Sequence, residues 1–189
     1  ISSVPLEIAK YTSSVKSDVP LIEPVIEINK AHIVMLTKQG IIDTSDAAEI
    51  LKALDELHLD ANLDPRLADV HMHVEAHVIG KLGEEVGGKL HVAKSRNDQV
   101  AAAIRMTLRT YLLDVVQALI ELRKILLTRC EEYLKAVMPG YTHLQHGQPI
   151  TVAHLLLAYQ DSFERDTDRL TETFRRVNLS PMGACALAT

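Results

Sequence analysis

Apolar side chains recur along residues 104–133 more regularly than anywhere else in the chain. Ile104, Leu108, Tyr111, Val115, Leu119, Leu122, Leu126, Cys130 and Tyr133 stand three or four positions apart, eight intervals over 29 residues, a mean near 3.6. That is the period of an α-helix. No Gly or Pro falls between Asp98 and Val137, so the spacing predicts one unbroken helix of ~40 residues, ~60 Å long at 1.5 Å per residue. A second long helix is predicted over 151–178. Leu156, Gln160, Phe163, Thr167, Leu170, Phe174 and Val177 share one face, while Asp161, Glu164, Arg165, Asp168, Arg169 and Glu172 lie on a charged outer face, solvated or turned toward another subunit. Between the two helices, Pro139, Gly140, Gly147 and Pro149 mark a turn, so the helices return antiparallel. Helices this long outrun the cover available from the rest of the chain. The missing cover is expected from further chain, from other copies, or from both.

Upstream the periods are shorter. Residues 1–17 show no clear period and read as irregular. Asp18 and Pro20 mark entry to a helix over 21–39 that stops at Gly40. Thr44, with Asp46 and Glu49 behind it, caps a second helix that fades near Leu59. A third is predicted over 69–82. Gly80, Gly83, Gly87 and Gly88 then crowd into nine residues, read as a functional loop or hinge. The fold class is therefore all-α: a small N-terminal helical domain over 1–95, then, over 96–189, the first part of a central bundle of long antiparallel helices.

Composition narrows the possible functions. Hydrophobic residues are 47% and charged residues 24%, a globular balance that argues against disorder. With 25 acidic against 20 basic residues the net charge is −5, so no nucleic-acid partner is expected. No apolar run reaches the ~18–20 residues of a membrane span, and the first residues do not read as a basic-then-apolar leader, so no membrane partner is expected. Cys130 and Cys185 lack zinc spacing and are too few for a disulfide framework, which points to reduced thiols in the cytoplasm. The chain starts at Ile1 rather than Met and is expected to be a segment of something longer.

Three segments hold chemistry-bearing residues. His71, His73, Glu75 and His77 tempt a metal reading. On a helix, however, His71/Glu75 and His73/His77 form two pairs ~200° apart, so three ligands cannot converge. The expectation is that one pair faces a core or polar site and the other faces water. The second segment, Gly87 to Gln99, joins a glycine turn, Lys89, Lys94 and Arg96, and a helix N-terminus, which suits carboxylate or phosphate binding. Equally, Ser95 or Asn97 caps the helix and Lys94 and Arg96 are solvated; the residues alone leave both readings open. The third is the inter-helix turn with Thr142, His143, Gln145, His146 and Gln148. Histidine exchanges protons near neutral pH, although a lone loop histidine is more often merely solvated.

Lys94-Ser95-Arg96-Asn97-Asp98-Gln99-Val100 and Met138-Pro139-Gly140-Tyr141-Thr142-His143-Leu144-Gln145 with Gln148-Pro149-Ile150 resemble the signature elements of argininosuccinate lyases. Asp69-Val70-His71-Met72, Gly88-Lys89-Leu90-His91, the Tyr11–Asp18 stretch and the segment 181–188 fit the same pattern. Thr-His-Leu-Gln is shared across the fumarase and aspartase superfamily, whereas Ser-Arg-Asn-Asp-Gln points more narrowly. Lys94 stands where the family has Arg, and Cys185 replaces a small residue. The resemblance implies β-elimination of argininosuccinate to arginine and fumarate, in arginine biosynthesis, without metal or organic cofactor. It implies substrate binding by Ser14, Arg96, Asn97 and Thr142, an acid/base role for His143, and contributions from His91 and Gln145. The family's catalytic serine loop lies beyond Thr189, so the segment alone is expected to be inactive. Asn97 and His143 lie at opposite ends of a rigid rod, so different copies must complete each site; the family's homotetramer meets that demand. The rival readings are another fumarate-releasing lyase, such as adenylosuccinate lyase, and a δ-crystallin-like structural protein.

Overall fold

The computed structural model describes residues 5–59 and 62–185. The chain divides into two compact units, one of residues 1–107 with 180–189, the other of residues 108–179.

The first unit opens with two short helices, α1 (Leu6–Thr12) and α2 (Val15–Asp18), where the sequence shows no period. Neither is long enough to stand alone; tertiary contacts hold them, as when Ser13 Oγ and Ser14 N–H both donate to the carbonyl of Ala68. A 3-10 turn over Val19–Leu21 carries Pro20 into α3 (Ile22–Lys38). Gly40 ends it as expected: at φ +69 it lets Ile41 N–H reach the carbonyl of Leu36, a left-handed stop that favours glycine. Helix α4 (Thr44–Asp55) starts one residue earlier than predicted, with Asp43 at the N-cap. Helix α5 (Val70–Gly87) begins at Asp69, whose side chain accepts the N–H of Met72.

Of the two readings of the glycine cluster, the loop is absent and the structure has a kink. Helix α5 runs through the cluster, broken once at Gly83 (φ 79, ψ 170), and a 3-10 turn over Gly88–His91 follows. Beyond the kink the chain presses back on itself: a Cβ at Gly87 would stand 2.7 Å from Ile79 Cα. The core of this unit gathers Val25, Ile33 and Leu36 of α3, Ile50 and Leu54 of α4, Val70, Val74 and Val78 of α5, and Ala102 and Ala103 of the next helix.

That helix, α6 (Arg96–Glu132), is 37 residues long and unbroken. In the second unit it meets α7 (Val152–Val177), capped by Thr151, whose Oγ1 accepts His154 N–H at 3.1 Å. The pairing is antiparallel. Cys130 lies against Ala153, Arg123 donates to Gln160 Oε1 at 2.8 Å, and Arg109 donates to Asn178 Oδ1 at 2.9 Å. The face predicted for α7 is the covered one, Gln160 fully and Phe163, Thr167, Leu170, Phe174 and Val177 in part. On α6 the outcome is mixed. Leu112 and Cys130 are buried, whereas Ile104, Leu108, Tyr111, Val115 and Leu122 of the predicted stripe remain exposed. Periodicity marks a face as apolar without saying what covers it.

The turn between the helices is a β-hairpin, an addition to the all-α fold. Strands β1 (Val137–Thr142) and β2 (Gln145–Thr151) pair antiparallel, with a bulge between Pro139 and Tyr141. Its proline and glycine content hid it, since both residues are depleted in strands. Gly140 permits the bulge: a Cβ there would lie 3.0 Å from the carbonyl oxygen of Gln148.

Candidate functional site

In the first unit the head of α5 is the common anchor. Asp18 is buried, and its Oδ2 accepts both Ser14 Oγ (2.7 Å) and Val70 N–H (3.1 Å). The hydroxyl proton of Ser14 is thus committed, leaving its oxygen to accept from a ligand. One residue away, Asp69 Oδ2 lies 3.5 Å from Arg96 Nε, and Glu75 Oε2 accepts from Arg96 Nη2 at 3.4 Å. Glu75 Oε1 is 3.5 Å from His91 Nδ1. The segments bearing Ser14 and Arg96 are therefore tied to consecutive residues, Ala68 to Val70, at the start of one helix.

The start of α6 carries a reciprocal cap. Ser95 Oγ accepts Asn97 N–H at 3.3 Å, and Asp98 Oδ1 accepts Ser95 N–H at 2.9 Å, which satisfies donors that a helix start otherwise leaves open. The other oxygen of Asp98 accepts Cys185 N–H at 3.1 Å. Ser95 therefore caps as the plainer reading held, but its neighbours are not simply solvated. Lys94 is buried and donates to Asn29 Oδ1, and Arg96 is engaged by two carboxylates. Burial pulls the Lys94 ammonium down to about 8, against the opposing pull of Glu75 and Asp98. Asn97 keeps an exposed side chain.

The histidines of α5 divide differently from expectation. Neither pair is exposed: His73 is buried, its Nδ1 donates to the Asp69 carbonyl (2.8 Å), and its Nε2 accepts Asp64 N–H (2.9 Å). His71 is also buried, and neither ring nitrogen has a hydrogen-bond partner among the described residues. No group of three or more His, Cys, Asp or Glu among the described residues could hold a metal ion. His32, buried on α3, donates from Nε2 to the Val92 carbonyl at 2.8 Å, and burial holds its pKa below the usual histidine value.

The second unit carries Thr142, His143 and Gln145 at the tip of the hairpin, all exposed. Thr142 pairs with Gln145, and His143 and Leu144 between them have φ of 51° and 62°. Two positive φ values define a two-residue turn that normally takes Asn-Gly. The absence of that dipeptide hid the two-residue tip, and so the hairpin, inside the turn the sequence predicted, and holding His and Leu there costs backbone strain. Tyr141 and His146 cross the hairpin with ring centroids 5.0 Å apart. Ser14, His91, Arg96 and Asn97 belong to the first unit, and Thr142, His143 and Gln145 to the second. Sequence reasoning gave the supporting carboxylates, Asp18, Asp69 and Glu75, no role in holding Ser14 or Arg96. Asp69 was visible within the Asp-Val-His element, and Glu75 by its place one turn from His71.

Argininosuccinate lyase of Methanocaldococcus jannaschii is 43% identical over the whole chain, and that of Methanocorpusculum labreanum 45% identical over 96% of it. The chain spans 40% and 38% of the length of those relatives. Among solved structures, an EDDS lyase variant with bound fumarate matches the whole chain with TM-score 0.81 and 34% identity, the chain covering 38% of it. A fumarate lyase from Mesorhizobium, 21% identical over 98% of the chain and 44% of its own, shares the fold at TM-score 0.79. A family model described as lyase matches residues 3–189, and the chain belongs to that lyase family.

Proposed function

We propose that this chain is part of an argininosuccinate lyase, which eliminates arginine from argininosuccinate to leave fumarate. The observation that carries the reading is the head of α6. There a capped helix start presents Asn97 to solvent and holds Arg96, partly exposed, at a fixed place on α5. Exposed donors and a cation at a helix N-terminus suit a carboxylate-rich substrate. Identity to argininosuccinate lyases, 43–45% for the two above, exceeds the 34% to EDDS lyase, which favours argininosuccinate over other amine-fumarate adducts.

In this reading a base removes the proton on carbon beside a carboxylate of the succinyl group. The electron pair forms the double bond of fumarate, the carbon–nitrogen bond breaks, and the departing guanidine nitrogen gains a proton. The carbanion-like intermediate spreads charge into the carboxylate, so preorganised donors stabilise it. Ser14, Arg96, Asn97 and Thr142 bind substrate, with His91 and Gln145 contributing. His143 assists protonation of the leaving guanidine, and a serine on chain outside this segment takes the carbon proton. Residues 96–189 begin a long-helix bundle that further chain and other copies complete. Helix α6, with 37 residues, extends about 55 Å, which supports self-association in which copies complete one another's sites; the resemblance to argininosuccinate lyases makes that assembly a homotetramer. Cys130 and Cys185 are free thiols, and no helix among the described residues is long and apolar enough to cross a membrane, in keeping with a cytoplasmic enzyme. The test is His143→Asn in the full-length protein: turnover, followed by fumarate absorbance, falls about 10²–10⁴-fold while sedimentation is unchanged. Turnover near wild type would remove His143 from the mechanism.

A further inference from the structure

We propose that Glu75 is a positioning residue for the substrate-binding cation, fixing the angle at which Arg96 meets a substrate carboxylate. The proposal rests on the argininosuccinate lyase reading above. Glu75 lies inside α5 and caps no helix end, since that task belongs to Asp69. Both of its oxygens turn instead to one loop: Oε2 to Arg96 Nη2 at 3.4 Å and Oε1 toward His91 Nδ1 at 3.5 Å. The same carboxylate favours the charged form of Lys94, buried three residues after His91. Three basic groups of a short segment thus share one acid.

The geometry at Arg96 is a two-point grip. Asp69 meets Nε and Glu75 meets Nη2, which sets the plane of a rigid fork and leaves its other donors for a ligand. The Arg96 side chain keeps 31% exposure and that of Glu75 28%, and an ion pair so open to water contributes little to folding stability. Its consequence is order: a guanidinium already held in place loses less freedom when substrate arrives.

In the full-length protein, Glu75→Gln keeps the side chain's shape and removes its charge. Its KM for argininosuccinate is expected to rise ~10-fold with kcat within about threefold of wild type, the signature of lost uniform binding. The melting temperature stays unchanged. Calorimetric affinity for fumarate weakens by a similar factor, and Glu75→Asp stays closer to wild type in both. Unchanged KM and fumarate affinity overturn the assignment, as does a joint fall of kcat and melting temperature, which marks a structural role. If wild type leaves argininosuccinate intact but Glu75→Gln still weakens fumarate binding, the substrate reading fails and the role of Glu75 stands. A wild type that binds no fumarate overturns both.

Discussion

Lys94 keeps its ammonium inside the first unit, at a position where the resemblance to argininosuccinate lyases leads one to expect arginine. Its facing groups are Asn29 from α3, Glu75 from α5 and Asp98 from α6. The two acids favour its charge, yet burial dominates, and the group loses its proton near pH 8 rather than at 10.5. Below pH 8 both folded and unfolded chains hold the proton, and the burial cost is present in full. Between about 8 and 10.5 the unfolded chain holds it while the folded chain does not, so stability from this group rises with pH, by at most about 1.4 kcal/mol per pH unit. Lys94→Met should lack that rise. Denaturant unfolding of both proteins across this window measures it, and parallel curves would show that Lys94 titrates normally. Arginine, always charged, could not provide this response. Sequence revealed the substitution at Lys94 but not its burial, because the partner Asn29 stands 65 positions away. Glu75 was half legible for the same reason: its helix face follows from spacing, its meeting with Arg96 from a return of the chain.

At the scale of elements, legibility tracks how local the cause is. Gly40, Asp69 and Thr151 end or start helices by contacts within a few residues, and the predicted limits of α3 and α7 agree with the structure to within a residue, whereas the ends of α4 and α5 differ by four or five. The hairpin fails this test. Its strands carry Pro139 and Pro149 in register, its bulge needs Gly140, and its tip lacks the expected dipeptide. Leu144 is 92% exposed at φ 62°, so its side chain offsets little of the strain it bears. Leu144→Gly is expected to raise stability by ~1 kcal/mol. A melting temperature that fails to rise would mean that Leu144 packs on something beyond the hairpin, such as a neighbouring copy.

For the molecule as a whole, the open face of α6 sets the terms. Tyr111, Val115 and Ile125 are each more than half exposed, and apolar patches of this kind on a helix mark contact surfaces. The purified 189-residue chain is expected to sediment as a multimer at ~10–100 μM, a range in which even micromolar self-association registers. A well-behaved monomer with this stripe intact would count against the assembly proposed for the parent protein. Fold class was legible at this scale because long uninterrupted periods admit few alternatives. The division at Thr107 was not, since it falls inside an unbroken helix where composition gives no signal.

Asp98 fastens the first turn of α6 with one oxygen and the returning Cys185 segment with the other, across 87 positions. Neither contact can loosen without tugging on the other, so Cys185 and the turn at Ser95 share one fixed point. Cys185 is thereby tied to the same carboxylate that closes the turn just before Arg96 and Asn97.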